Sequence, residues 1–254
     1  MITNGVPSPS SPLEGDGRGG AGVLFQYSVS TAFVAGSHSG GMPVGDIRAH
    51  GDLGLGTYEN FDGEMVALDG RFYQVTSTGS VREVQDSALS PFTTVTRFVA
   101  GAVERDVRCR DSAELSRLCD GLRKSGNLFY AFRITGEFDS VHARSMCKAA
   151  PGTPLVEAAA TQPEFEFSRK AGNLVGFWTP AFAAAINIPG YHLHFLSADR
   201  LCGGHLLDFK GARVTVQVQE LFALRVALPK TPEFMNADLT RDPRADLARA
   251  EGGR

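Results

Sequence analysis

No apolar run in the chain approaches the ~20 residues that a membrane-spanning helix needs; the longest, such as Ala181 to Ile186, stop far short. Cysteine is scarce. Cys109, Cys119, Cys147 and Cys202 are the only four, with no C-x-x-C pair and no dense spacing, which argues against a disulfide framework and for a reducing compartment. An excess of one charge is missing too. With 25 Lys and Arg against 28 Asp and Glu, the formal net charge is −3, so neither nucleic acid nor an anionic membrane is expected as a partner. The N-terminus shows no basic stretch followed by an apolar core; no signal peptide is expected, and the cytoplasm is the expected location. A phosphate loop is also lacking. The glycines at 51, 54 and 56 in H-G-D-L-G-L-G-T are not spaced as G-x-G-x-x-G, and no G-K-[ST] follows. Close backbone packing is the expected reason for them.

What remains is an ordinary globular composition, 43% hydrophobic and 21% charged over 254 residues, enough for a sizeable core. Residues 1–22, rich in Ser, Pro and Gly, are expected to form a disordered tail. Short helices are expected over Ser30 to Ala35, stopped by Gly36, and over about Val44 to His50. Two D-G dipeptides, Asp62-Gly63 and Asp69-Gly70, punctuate strand-like runs and predict hairpins. A strand is expected from Pro91 to Val103. Asp111 with Glu114 forms a capping-box pattern before Leu115, Leu118, Cys119 and Leu122, which predicts a helix over Asp111 to Lys124 closed by basic residues. Leu128 to Ile134 and Phe138 to Arg144 read as a hairpin turning at Thr135-Gly136. Pro151 and Pro154 mark a boundary, followed by a short helix over Leu155 to Thr161, strands near Glu164–Arg169 and Leu174–Trp178, and a long strand pair over Ala212 to Leu228. A Pro-punctuated tail ends in a helical segment, Arg244 to Glu251.

The fold class expected is α/β of the α+β type: mixed, largely antiparallel sheets with few short helices, in two lobes. Residues 23–150 would form an N-terminal mixed-sheet lobe. Residues 151–254 would form a C-terminal metal-binding β lobe with its tail.

The stretch from Pro189 to Phe209, P-G-Y-H-L-H-F-L-S-A-D-R-L-C-G-G-H-L-L-D-F, holds three of the six histidines. His192 and His194 alternate with Tyr191, Leu193 and Phe195, the period of a strand, so both imidazoles leave one face. With a turn centred on Asp199 and Arg200, His205 falls opposite His194 on the return strand. Three imidazoles then converge, as a Zn²⁺ site with an open fourth position requires. Such a metal polarises a carbonyl or lowers the pKa of a bound water. The bland alternative is a pair of half-buried strand histidines with ordinary hydrogen bonds. Cys202 is the nearby applicant for a fourth, structural ligand, though a small turn residue reads better there. Glu64, Arg144 and Glu251 are charged candidates to work beside the metal.

The blocks H-G-D-L-G-L-G-T-Y-E-N-F-D-G-E-M, D-G-R-F-Y-Q, N-L-F-Y-A-F-R-I-T-G-E-F, Q-P-E-F-E-F, V-G-F-W-T-P, and P-G-Y-H-L-H-F-L-S-A-D-R with G-G-H-L-L-D-F follow one another in this order. Together they resemble the alpha-acetolactate decarboxylase family from about residue 24 to the end. The resemblance implies one zinc ion on His192, His194 and His205, an active-site glutamate at Glu64 in F-D-G-E, and an arginine at Arg144 in V-H-A-R-S. It also implies a C-terminal glutamate at the site, for which Glu251 is the best-placed match, and a homodimer. The run C-K-A-A-P-G-T after Arg144 departs from the family's more basic, proline-rich pattern, and the N-terminal tail is unshared.

The implied reaction is decarboxylation of (S)-2-acetolactate to (R)-acetoin and CO₂. Loss of CO₂ leaves an electron pair that needs a positive sink, for which a Lewis-acidic metal is suited, and a new C–H bond must then form on one face. In this reading Arg144 orients a negatively charged oxygen, because a guanidinium with a pKa above about 12 is a poor proton donor. Glu64 or Glu251 would handle protons. Two rivals remain at this point. One is a cupin-like metalloenzyme such as a dioxygenase, for which H-x-H with Asp199 is a near miss; the other is a non-catalytic zinc-binding protein.

Overall fold

The computed structural model describes residues 20–251; nearly all of the expected tail, residues 1–22, lies outside them. In chain order the first strands are β1 (Val23–Tyr27), β2 (Met42–Pro43), β3 (Leu53–Thr57), β4 (Glu64–Leu68), β5 (Arg71–Val75), β6 (Val81–Glu83) and β7 (Leu89–Ser90). Then follow β8 (Thr93–Thr96), β9 (Ala102–Cys109), β10 (Phe129–Arg144), β11 (Glu164–Thr179), β12 (Gly190–Ser197), β13 (Gly203–Leu221) and β14 (Ala223–Ala227). The helices are α1 (Ser30–Val34), α2 (Val44–Arg48), α3 (Ser112–Leu122), α4 (Leu155–Ala159), α5 (Pro232–Asn236) and α6 (Arg244–Glu251). No described helix is long and apolar enough to cross a membrane.

Two sheets carry the fold, mixed and largely antiparallel as expected. The seven-stranded sheet runs β14-β1-β8-β3-β4-β5-β6, with a parallel β1–β14 pair at its edge. The five-stranded sheet runs β10-β11-β12-β13-β9, and a further β10–β13 pairing closes four of its strands on themselves. Strand alternation assigns the faces. In β4, Val66 and Leu68 join Leu24, Leu53 and Leu55 in a core shared with Val175, Phe177 and Leu196 of the second sheet. Met65 and Ala67 face the other way, onto Phe25, Ile47 and Phe72. Inside the closed strands, Tyr130, Phe132, Phe138, Phe195 and Phe209 fill the space with Leu115 and Cys119 of α3.

Local signals explain several elements. Asp69 and Gly70 both have positive φ, 53° and 74°, and join β4 to β5 as a two-residue hairpin turn. Asp62-Gly63 ends the longer connection between β3 and β4, with Gly63 at φ 85°. Asp111 caps α3, accepting from the Glu114 amide at 2.8 Å. A Cβ at Gly54 or Gly56 would meet the carbonyl oxygens of Thr94 or Phe92 at 2.2 and 2.4 Å, so these glycines serve close strand approach and not a ligand loop.

The structure corrects four expectations. Thr135-Gly136 is no turn: β10 runs unbroken for 16 residues, with Gly136 paired to Gly172 and Val214. A Cβ there would lie 2.4 Å from the Arg213 carbonyl, so this glycine admits a neighbouring strand and does not reverse the chain. The two strands expected at Glu164–Arg169 and Leu174–Trp178 are likewise one strand, β11. The run Pro91 to Val103 is split between β8 and β9, because the chain leaves one sheet at Thr96 and enters the other at Ala102. Ala212 to Leu228 is not a strand paired with itself: β13 stays in the second sheet, while β14 crosses to lie beside β1. Residue 150, where the sequence suggests a boundary, lies in the connection between β10 and β11, which pair from Tyr130–Trp178 to Arg144–Glu164. Helix α5 had no counterpart among the sequence expectations; Thr231 caps it and Pro232 opens it.

Candidate metal centre and active site

Register across three strands assembles the centre. Arg144 on β10 stands opposite His205 on β13, and His205 stands opposite His194 on β12. These three residues form one row across the sheet, and His192 joins it from two positions along β12. Leu196 continues that face of β12 into the core between the sheets, so the imidazoles look toward β4. There Glu64 begins the strand, on the same face as Val66 and Leu68. The Oε2 of Glu64 is 3.6 Å from Nε2 of His194.

All three histidines are buried, and one ligand nitrogen from each lies within 4.8 Å of the others. The Nε2 atoms of His192 and His194 are 3.1 Å apart. Two nitrogens on one tetrahedral ion, each bound at 2.0–2.1 Å, would lie about 3.3 Å apart. Nδ1 of His194 donates to the Met65 carbonyl at 2.8 Å, which leaves its Nε2 with a lone pair directed at the centre. Burial pushes the His194 pKa down to about 4, with Arg144 lowering it further and the Met65 bond opposing. Burial also holds His192 and His205 well below the usual value; His194 and Arg144 lower His192 further, and Arg144, His192 and His194 lower His205 further. The imidazoles are therefore neutral, the form that binds metal.

The carboxylates shift the opposite way. Burial raises Glu64 to about 8, nearby Glu251 adds to the rise, and Arg144 and the Met146 amide oppose it. That amide donates to Glu64 Oε1 at 3.2 Å. Burial raises Glu251 to about 6 against the pull of Arg144. Three neutral imidazoles and two carboxyls with raised pKa values around one point are the donor set a dication satisfies. Cys202 does not join them; it packs in the core of the closed strands, and its amide donates to Ser197 Oγ.

Glu251 arrives on a docked helix. Leu247 and Ala250 of α6 are buried against Phe33, Phe92, Leu155, Ala158 and Ile188. Its Oε2 lies 3.6 Å from His205 Nδ1, 3.9 Å from His192 Nε2 and 3.8 Å from an Arg144 Nη2. The six residues singled out from the sequence thus surround one point. A narrow cavity of about 30 Å³ adjoins them, polar at Glu64, Arg144 and Glu251 and apolar at Phe33, Phe92 and Ile188. The sequence reading missed that apolar wall and the two backbone groups, the Met65 carbonyl and the Met146 amide. Backbone partners leave no side-chain signal, and the wall comes from α1, the residue just before β8 and the segment before β12.

The family profile of alpha-acetolactate decarboxylase matches residues 24–241. The chain is 35% identical over 255 residues to the alpha-acetolactate decarboxylase of Brevibacillus brevis, covering 98% of this chain and 90% of that one. It is 38% identical over 230 residues to the alpha-acetolactate decarboxylase of Methanosarcina mazei, covering 90% of this chain and 80% of that one. The crystal structure of alpha-acetolactate decarboxylase from Bacillus subtilis strain 168 superposes with a TM-score of 0.87 at 35% identity, over 91% of this chain and 100% of that chain. The profile match ends before α6, so it does not bear on Glu251. With sequence and architecture in agreement over nearly all of the described residues, the chain belongs to the alpha-acetolactate decarboxylase family.

Proposed function

We propose that the protein is a zinc-dependent carboxy-lyase that converts (S)-2-acetolactate to (R)-acetoin and CO₂. The observation that carries this reading is the convergence of His192, His194 and His205 with Glu64, Arg144 and Glu251 in a chain of this family. His192, His194 and His205 would hold the zinc ion, which would supply Lewis acidity to stabilise the electron pair that loss of CO₂ leaves behind.

The chain's own groups do the rest. Arg144 offers planar guanidinium donors in a buried site, which suits holding a carboxylate or a developing oxyanion in one orientation. Among the described residues its Nε has no hydrogen-bond partner. Glu64, its carboxyl pKa raised by burial to about 8 in the metal-free site, is the group suited to hold a proton and deliver it to one face of the carbon that loses CO₂. Glu251, with a pKa near 6, is the complementary acceptor for a hydroxyl proton. The apolar wall of Phe33, Phe92 and Ile188 excludes water and accommodates the methyl groups. The four free thiols fit a cytoplasmic protein, and a homodimer is the assembly the family resemblance implies.

The test supplies racemic acetolactate to the purified, zinc-loaded protein and measures CO₂, acetoin and the handedness of the acetoin. One equivalent of CO₂ per (R)-acetoin without oxygen uptake is expected. Oxygen consumption matching product would point to a dioxygenase instead, and zinc binding without turnover to a non-catalytic site.

A further inference from the structure

Helix α3 has the clearest helical pattern in the sequence, yet no step of the proposed reaction uses it. Its basic end nevertheless reaches the strand that bears the metal ligands. Arg123, the residue that ends α3, sits with Cζ 3.5 Å from the ring centroid of Trp178 and 5.6 Å from that of Tyr191. Its Nε donates to the Tyr191 hydroxyl at 3.2 Å, and its Nη2 pairs with Asp120. The Tyr191 hydroxyl donates to Asp120 Oδ1 at 2.8 Å, with the Ser116 carbonyl at 3.3 Å. The Arg123 side chain is only 10% exposed, so little solvent screens the cation from the two rings. Trp178 and Tyr191 are direct partners across β11 and β12, and Tyr191 also meets Phe132 edge-on at 5.5 Å.

His192 follows Tyr191 in the chain. A metal-binding imidazole is ordinarily oriented by a hydrogen bond from its other ring nitrogen. His194 has that bond, to Met65, but Nδ1 of His192 is buried without a hydrogen-bond partner among the described residues. The direction of the His192 ring must then come from the strand itself. Successive strand residues point to opposite faces, so fixing Tyr191 on one face fixes the Cα–Cβ direction of His192 on the other. We infer that Arg123 is a positioning residue for the metal centre: through Tyr191 it holds β12 so that His192 presents Nε2 to the ion.

The inference rests on the zinc reading, and the experiment separates the two. Wild-type protein is stripped of metal and titrated with Co²⁺, and with Zn²⁺ against a competing chelator. If the wild-type chain binds neither ion, the metal reading falls and this one with it. Arg123→Met removes the guanidinium but keeps an unbranched stem beside Trp178; Tyr191→Phe keeps the ring and removes only the hydroxyl. Emission from Trp178, the one tryptophan in the chain, reports whether the stack has opened. Both variants should bind metal about tenfold to a hundredfold more weakly and shift the Co²⁺ absorption bands, which report ligand geometry. Leu118→Ala, on the same helix and packed on the adjacent core, should lower Tm while leaving metal affinity and bands as in the wild type. Should Arg123→Met fail to fold, Tyr191→Phe decides. Wild-type affinity and bands in Tyr191→Phe overturn the inference, and so does an equal loss of affinity in Leu118→Ala.

Discussion

Arg144 and Ala250 are joined by a hydrogen bond of 2.5 Å, from a guanidinium Nη2 on β10 to a carbonyl in the last turn of α6. Carbonyls at that end of a helix lack an intrahelical donor, and a cation there is favoured by the helix dipole. The bond ties the C-terminal helix to the row of residues that holds the candidate metal centre. It also makes Arg144 answer to two demands, the helix and the substrate.

Replacing Arg144 by Lys keeps the charge but loses the planar fork of donors. Losing such a contact in a water-poor site costs on the order of 2–4 kcal/mol of transition-state stabilisation, roughly a thirtyfold to thousandfold drop in kcat/KM. Zinc content should stay at the wild-type level. A Lys variant with unaltered kcat/KM would show that a positive charge alone suffices.

Each single change of His192, His194 or His205 to Ala should lower bound zinc and turnover together, read by elemental analysis beside the acetoin assay. The three nitrogens lie within 4.8 Å of one another, so each loss removes one of three ligands from a shared ion. Full zinc occupancy in two of the three variants would break the assignment.

Glu251→Gln, and separately a chain ending at Ala250, should fold and retain zinc, since the three imidazoles are untouched. Both should lose most of their kcat, because the carboxylate 3.6 Å from His205 is gone. Unchanged kcat and KM in both would return Glu251 to the role of a surface acid and leave Glu64 as the site's carboxylate.

His38 gives a pH signature away from the metal. It is fully buried, its Nε2 donates to the Thr153 carbonyl at 3.1 Å, and burial lowers its pKa against the pull of that bond and of Glu233. In the unfolded chain it titrates near 6.5, so below that pH the unfolded state binds the extra proton and stability falls. Its contribution is complete above about 6.5 and is lost on acidification. A His38→Gln variant has no such proton. Between about pH 7.5 and 5.5 the Tm advantage of the wild type over this variant should shrink; a constant difference would show that His38 titrates alike in both states.

Gly176 on β11 tests the approach of the strand that carries His192. A Cβ there would lie 1.9 Å from the His192 carbonyl oxygen and 3.0 Å from the Leu193 Cα, both backbone atoms that no rotamer change can move. Gly176→Ala should therefore cost about 1–3 kcal/mol or more and lower zinc occupancy as β12 is displaced. Gly126→Ala, where nothing lies within 4 Å, is the matched control and should leave Tm unchanged.

The sequence by itself determined what depends on local period and local chemistry. The alternation of Tyr191, His192, Leu193 and His194 put two imidazoles on one strand face, and the turn at Asp199 and Arg200 set His205 opposite His194. Capping at Asp111, the Asp69-Gly70 turn and the bounds of α6 were legible for the same reason. Tertiary structure alone decided which strands became neighbours. Gly136 reads like a turn residue in sequence, but the close carbonyl of Arg213 makes it a site of strand approach in the middle of β10. Arg144 meets His205 only because β10 pairs with β13 across more than sixty residues of chain, and Glu64 meets His194 only because the two sheets pack face to face. Glu251 reaches the centre because Leu247 and Ala250 find an apolar wall built from distant segments. Such contacts follow from the packing of whole sheets, and no local pattern of residues encodes them.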